Sequence, residues 1–219
     1  MAEGSRNTNF GAGFDFNFGF GFFGNLKNIF SGSSATIIDN LNTVEYANSS
    51  TTQQVVRYTS NHDVNGSDGT PLDLFGGRKG SLAAFAVVAW MKSVPMIYGG
   101  QEVGTPYRLT FPFTGTKINW TINPDIKAEY KRIIEIRNNS AAIRRGTLTT
   151  YTNSDVCAFT KESVGEQIFV IANLRNSVIN YTVPASFANR TWTDVWNGKL
   201  TFLARTITLQ PYEYLILKQ

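Results

Sequence analysis

The residues best suited to chemistry are Asn61, His62 and Asp63, a polar run that holds the only histidine among 219 residues. It follows Gln54-Val55-Val56-Arg57-Tyr58-Thr59, rich in β-branched and aromatic residues, and precedes Asn65-Gly66-Ser67-Asp68-Gly69-Thr70-Pro71, dense in turn formers. The trio therefore lies at the C-terminal end of a predicted strand. If the next strand is parallel, that end is where α/β proteins place ligands and chemistry. The alternative is that Asn61 and Asp63 only turn or cap the chain there.

Two regions of different period position this run. Before residue 147 the pattern alternates between strand and helix. Phenylalanines alternate with Asp15, Asn17 and Gly19 from Phe14 to Phe20, a strand period, although a Phe/Gly low-complexity tract is the rival reading. Asn25 to Ile29 and Ala35 to Tyr46 read as helix, with Ser33 or Ser34 as a cap for the second. After the strand ending at Asn61, Arg78 to Lys92 is almost continuously small or apolar, as in a helix packed on a sheet. Val94 to Tyr98 is a short strand, and Asp125 to Asn139 a helix with Ile126, Tyr130, Ile133, Ile134 and Arg137 on one face. Such alternation predicts parallel strands with right-handed crossovers. From Thr147 onward the segments 147–151, 156–160, 167–173, 178–183, 191–196, 206–209 and 212–218 read as short strands separated by turn residues. That spacing predicts a small antiparallel β-sandwich.

Composition sets the class. At 42% hydrophobic and 16% charged, the chain buries a core and is not disordered. A net charge of +4 is a mild excess, and Glu129 and Glu135 interrupt the densest basic stretch, Lys127 to Arg145, so no nucleic-acid partner is expected. Cys157 stands alone, which excludes an intrachain disulfide and assigns it to buried strand packing. Met1 to Arg6 lacks the apolar core of a signal peptide, and the longest apolar run, Leu82 to Met91, is too short to span a bilayer, so a soluble chain with no membrane partner is expected and its compartment is left open.

The motifs taken together carry a resemblance. YTSNHDV at 58–64, followed one helix later by VPMIYGGQEVG at 94–104, resembles the last two barrel strands of the α-amylase family of glycoside hydrolases. AEGSR at 2–6 is similar to the end of that family's fifth strand, and FDFNFGFGFFGNLKNIF at 14–30 to its sixth strand and helix. INW at 118–120, the helix from 125 and the β region after 147 follow in the family's order. The resemblance implies an α/β plus all-β fold: a partial (β/α)8 (TIM) barrel over 1–146, then a C-terminal β-sandwich domain over 147–219. It implies hydrolysis of α-1,4-glucans such as starch and maltooligosaccharides. Glu3 takes the general acid/base position, Asp63 the catalytic-site aspartate that binds sugar hydroxyls and raises the acidity demand on Glu3, and His62 with Asn61 the substrate-binding positions.

That chemistry fits the residue types. Cleaving a glycosidic bond requires a protonated carboxyl near the leaving oxygen and negative charge to stabilise an oxocarbenium-like transition state. Glu3 can supply the proton if burial or a neighbouring carboxylate raises its pKa, with Asp63 as that neighbour; the alternative is a frayed N-terminal glutamate. Gln101 and Glu102 are expected to be structural hydrogen-bonders at a strand end. Trp192, Trp196 and Tyr181 could form a surface sugar platform, but core positions are the preferred reading.

Departures from the family pattern qualify the activity. The resemblance stops short of the strand that carries the family's nucleophilic aspartate and of the loop domain that binds its calcium, so the chain reads as the C-terminal half of an amylase, a natural short protein or a truncation. Asp15, Asp68 and Asp73 are nearby carboxylates with no spacing that singles one out, and solvated turn positions are the preferred reading. No cofactor and no metal requirement are expected, since no oxygen-ligand loop such as an EF-hand is present. The alternative function is an inactive carbohydrate-binding remnant, or a fragment that needs a partner half. A sheet cut from a barrel has two unpaired edges, so a homodimer or other self-association is expected.

Overall fold

The structure is a computed structural model that describes residues 1–109, 112 and 114–219. In chain order its first part contains α1 (Thr8–Gly11), β1 (Phe16–Phe18), α2 (Phe20–Phe30), α3 (Ile37–Val44), β2 (Gln54–Tyr58), α4 (Val64–Ser67), α5 (Pro71–Leu74), α6 (Gly77–Trp90), β3 (Val94–Met96), a 3-10 turn (Gln101–Val103), α7 (Pro124–Asn139) and α8 (Ala141–Arg145). The second part is all strand: β4 (Thr147–Thr150), β5 (Val156–Ser163), β6 (Glu166–Asn173), β7 (Ile179–Thr182), β8 (Arg190–Asp194), β9 (Leu200–Leu203), β10 (Thr206–Leu209) and β11 (Tyr214–Lys218). The chain is thus α/β with antiparallel sheets. Among the described residues no helix is long and apolar enough to cross a membrane.

The strands of the first part form a parallel sheet in the order β1-β2-β3, with Phe16 opposite Gln54 and Val56 opposite Val94. Ala2 extends this sheet by a parallel bridge to Asn17. All three strands therefore end on one edge. The period-2 phenylalanine run is cut short there. Gly19 sits so close to β2 that an added Cβ would lie 3.1 Å from side chains of Val55 and Arg57, and its N–H donates to Val56 O at 2.8 Å. From Phe20 the spacing is helical: Phe22, Phe23, Leu26 and Ile29 are buried on one face of α2. The expected strand to Phe20 and helix from Asn25 are corrected accordingly, because 3.6-residue periodicity takes over at Gly19.

Arg57 fixes how α3 covers this sheet. Its side chain is fully buried, so its charge needs a partner. Glu45 supplies it at 2.9 Å, Asn42 accepts a further bond at 2.7 Å, and the Phe22 ring lies 3.9 Å from the guanidinium carbon. α6 is the central element: every residue from Gly80 to Trp90 is buried, and the Trp90 indole donates to Ile133 O of α7 at 3.1 Å. Gly80 has no alternative, since a Cβ would fall 1.6 Å from Phe75 O.

The second part has a six-stranded antiparallel sheet, β4-β5-β6-β11-β8-β9, and a two-stranded one, β10-β7. One face of the larger sheet packs on the helices of the first part, through Cys157, Phe159, Val170 and Ile216 in the same core cluster as α6. The other face forms a separate core with the small sheet, around Phe169, Trp192, Tyr181 and Leu209. β9 was not expected from sequence: Leu200 and Phe202 are exposed while Leu203 is buried, a short alternation that follows the Asn197-Gly198 turn. Trp192 and Tyr181 take the expected core positions, their polar atoms donating to Phe187 O at 3.1 Å and Tyr151 O at 2.9 Å.

Candidate functional site

The site is built at the C-terminal edge of the parallel sheet. β2 runs into Thr59, Ser60 and Asn61, all fully buried. The Asn61 side-chain oxygen accepts from Asp63 N at 3.0 Å and Val64 N at 2.8 Å, which turns the chain sharply into α4. Ser60 and Thr59 are held in turn by Asn65 at 3.3 Å and Gln101 at 2.8 Å, and Gln101 also donates to the Tyr130 hydroxyl at 3.0 Å. This buried polar network holds the strand end, and the next two residues emerge from it. The side chains of His62 and Asp63 are 51% and 62% exposed.

Glu3 reaches the same place from the neighbouring strand position. Ala2 N donates to Phe16 O at 2.8 Å and Phe18 N to Gly4 O at 3.2 Å, so the segment around Glu3 is stitched to β1 rather than frayed. Glu3 Oε1 lies 3.1 Å from His62 Nε2, and that same nitrogen lies 3.5 Å from Asp63 Oδ1. The three sequence-predicted groups Glu3, His62 and Asp63 are therefore brought together. Asn61 is not beside them: its side chain is buried and its oxygen is committed to the turn. Glu3 is about half exposed, so burial is not the environment seen for it.

Beneath the trio lies Tyr58, stacked on Phe23, tilted against Phe18 and edge-on to Phe20, with its hydroxyl buried and unpaired among the described residues. Burial, followed by the negative charges of Glu45, Asp63 and Glu3, pushes this phenol well above its usual range. Sequence reading treated Tyr58 only as a strand residue. Glu3, His62 and Asp63 also present one ligand atom each within 4.8 Å of one another, so they are the residues that could hold a divalent ion, all three exposed.

Other carboxylates stay apart. Asp73 closes a capping box with Thr70 at the start of α5. Asp68 pairs with Lys27 at 2.6 Å, and that hydrogen bond, with help from Ser67, holds its carboxyl below the usual range. Asp15 is exposed ahead of β1. Glu102 accepts from Gly100 N at 2.9 Å, and Gln101 is buried, both in structural roles as expected.

Known proteins set this geometry in context. Residues 147–216 match the family described as Maltogenic Amylase, C-terminal domain. No curated protein matches the sequence. Solved structures match over nearly the whole chain: AmyP in complex with maltose, at 17% identity and a TM-score of 0.78, covers 100% of this chain and 51% of its own. An Anoxybacillus α-amylase, at 16% identity and a TM-score of 0.76, covers 94% of this chain and 47% of its own. The α-amylase from H. orenii, at 19% identity and a TM-score of 0.72, covers 97% and 50%. The chain shares the fold of α-amylase-family glycoside hydrolases along its length, as the sequence motifs implied, and spans about half the length of these structures.

Proposed function

From the premise of an α-amylase-like fold carrying a maltogenic-amylase C-terminal domain, we propose that this chain is an α-amylase-like glycoside hydrolase acting on α-1,4-glucans. The parallel sheet with its helices, residues 1–146, is read as part of a (β/α)8 barrel that carries the site, and residues 147–219 as its C-terminal domain. The observation that carries the reading is the meeting of Glu3, His62 and Asp63: two carboxylates from different strand ends flank one imidazole nitrogen at 3.1 and 3.5 Å. In this reading Glu3 protonates the leaving glycosidic oxygen as its bond to the anomeric carbon breaks, and the water that adds to that carbon returns a proton to the Glu3 carboxylate. Asp63 holds sugar hydroxyls and stabilises the positive charge that develops on the ring. His62 donates from Nε2 to the substrate, displacing its contact with Glu3.

The test is reducing-end release from soluble starch by the wild type, Glu3→Gln and Asp63→Asn, purified identically. Each substitution is expected to lower the rate about 100-fold or more; wild-type rates in both would sink the assignment. A second reading, a carbohydrate-binding chain that is inactive alone or needs a partner half, is favoured by the coverage of about half the length of AmyP. It predicts glucan binding with no reducing ends released until a complementing polypeptide is added.

A further inference from the structure

The antiparallel part ends in an edge that is neither charged nor covered. β9 is the last strand of the six-stranded sheet and pairs only with β8 among the described residues. Leu200 is 77% and Phe202 63% exposed, whereas Leu203 is buried. Opposed residues of an antiparallel pair share a face. Leu200 opposite Thr193 and Phe202 opposite Thr191 therefore make one surface of apolar and threonine side chains, while Trp192 and Leu203 lie on the other face, in the core with the small sheet. Edge strands are normally blunted by a charge, a proline or a bulge. Leu200-Thr201-Phe202-Leu203 has no charge and no proline, and its register with β8 runs without a bulge.

The hydrogen-bond phase of β9 fixes which backbone groups are free. Asp194 N donates to Lys199 O at 2.8 Å, one step beyond the pairing of Thr193 with Leu200. Bonded and non-bonded pairs alternate along an antiparallel ladder, so Trp192 with Thr201 and Arg190 with Leu203 are in the bonded phase. Asn189 N donating to Leu203 O at 2.7 Å agrees with that phase. The N–H and C=O groups of Leu200 and Phe202 consequently point away from β8, along the open side.

A second β9, antiparallel to the first about a twofold axis at Thr201, complements this pattern. Leu200 falls opposite Phe202 of the second copy, and Phe202 opposite its Leu200, with their outward N–H and C=O groups in bonding phase and all of these side chains on one face. A register shifted by one residue sets Phe202 opposite Thr201, whose side chain belongs to the other face. Charge does not oppose the pairing, since Lys199 falls opposite Leu203 of the second copy. We propose that β9 is a self-association edge, at which a second copy of this chain pairs antiparallel about Thr201, joins the two six-stranded sheets and covers Leu200 and Phe202. The inference is independent of the glucan reading. One short strand per copy falls below the roughly 800 Å² per partner of a standard interface, so the pairing is weak and concentration-dependent.

Sedimentation velocity on the full chain is expected to show the mass double between about 5 and 500 µM, the range of a small interface. Leu200→Lys changes an exposed side chain, and Phe202→Pro removes an outward N–H without breaking a bond to β8. Each should hold the low-concentration mass with circular dichroism unchanged, and Leu200→Lys decides alone if the proline perturbs the fold. Thr201→Cys, oxidised with diamide, should link two copies, because facing residues of a non-bonded pair lie roughly 4.5 Å apart at Cα, within disulfide reach. Cys157 is buried and does not compete. Thr191→Cys, one strand further in, should stay unlinked. No growth in mass of the wild type, growth that persists in Leu200→Lys, or equal linking by Thr191→Cys would each overturn the proposal.

Discussion

The two parts of this chain handle polar groups in opposite ways. In the antiparallel part, strands pair on both sides over most of the sheet and the polar atoms of large side chains are spent internally: Trp192 on Phe187 O, Tyr181 on Tyr151 O, Asn173 on Ser177 O and Gln210 O. Burial pushes the Cys157 thiol far above its usual range, which leaves it inert. In the parallel part, the strands stop together at one edge, and the backbone there is held by side chains such as Asn61 and Gln101 while His62, Asp63 and Glu3 face outward. Chemical capacity accumulates where strand pairing runs out, and the antiparallel part acts as the buttress behind α6.

The comparison breaks first on stability. Trp192→Ala should cost about 3–5 kcal/mol, the usual price of emptying an aromatic core position, whereas His62→Ala should leave the urea midpoint within about 0.5 kcal/mol of wild type. If His62→Ala unfolds the chain, the exposed edge is structural and the contrast fails. Lys161 sharpens the picture next. It is buried on the face of β5 that meets the first part, and burial, then the charges of Arg137, Lys92 and Arg57, push its pKa down to about 8. The unfolded chain therefore holds this proton more tightly than the folded one. Stability should rise with pH between about 8 and the ordinary lysine value of 10.5, and the whole penalty is present below about 8. Lys161→Met should gain on the order of 3 kcal/mol at pH 7 and flatten that dependence relative to wild type, as read from denaturation at pH 7, 9 and 10.

Smaller effects test the edge itself. Asn61→Ala, which removes the acceptor for two backbone N–H groups, should cost about 1–2 kcal/mol and lower starch hydrolysis by misplacing His62 and Asp63; Asn61→Asp, which keeps the acceptor, should recover most of the stability. β3 pairs only with β2 among the described residues, so self-association along its free side is expected. Light scattering after size exclusion checks it, and a stable 24.3 kDa species at micromolar concentration would refute it. The smallest effect concerns metal: thermal melts with and without EDTA should coincide. A drop on chelation would turn Glu3, His62 and Asp63 into a metal centre.

Much of this was legible in the sequence, for local reasons. A β-branched run followed by turn formers determined where β2 stops and thus that Asn61, His62 and Asp63 sit at its end. The apolar run of α6 and the strand spacing after Thr147 determined a helix packed on sheets and an antiparallel region, because both are properties of neighbouring residues. Only the tertiary structure decided which members of the trio face outward, since Asn61 and His62 are adjacent polar residues and the difference lies in the two N–H groups that the Asn61 oxygen accepts. It decided that Glu3 meets His62, a contact that depends on Ala2 pairing with Asn17 across the sheet. It also decided that Gly19 ends the phenylalanine strand and that Leu200 and Phe202 stand exposed on an edge strand. Each of these outcomes turns on how closely distant segments approach, a distance that no local pattern of residue types encodes.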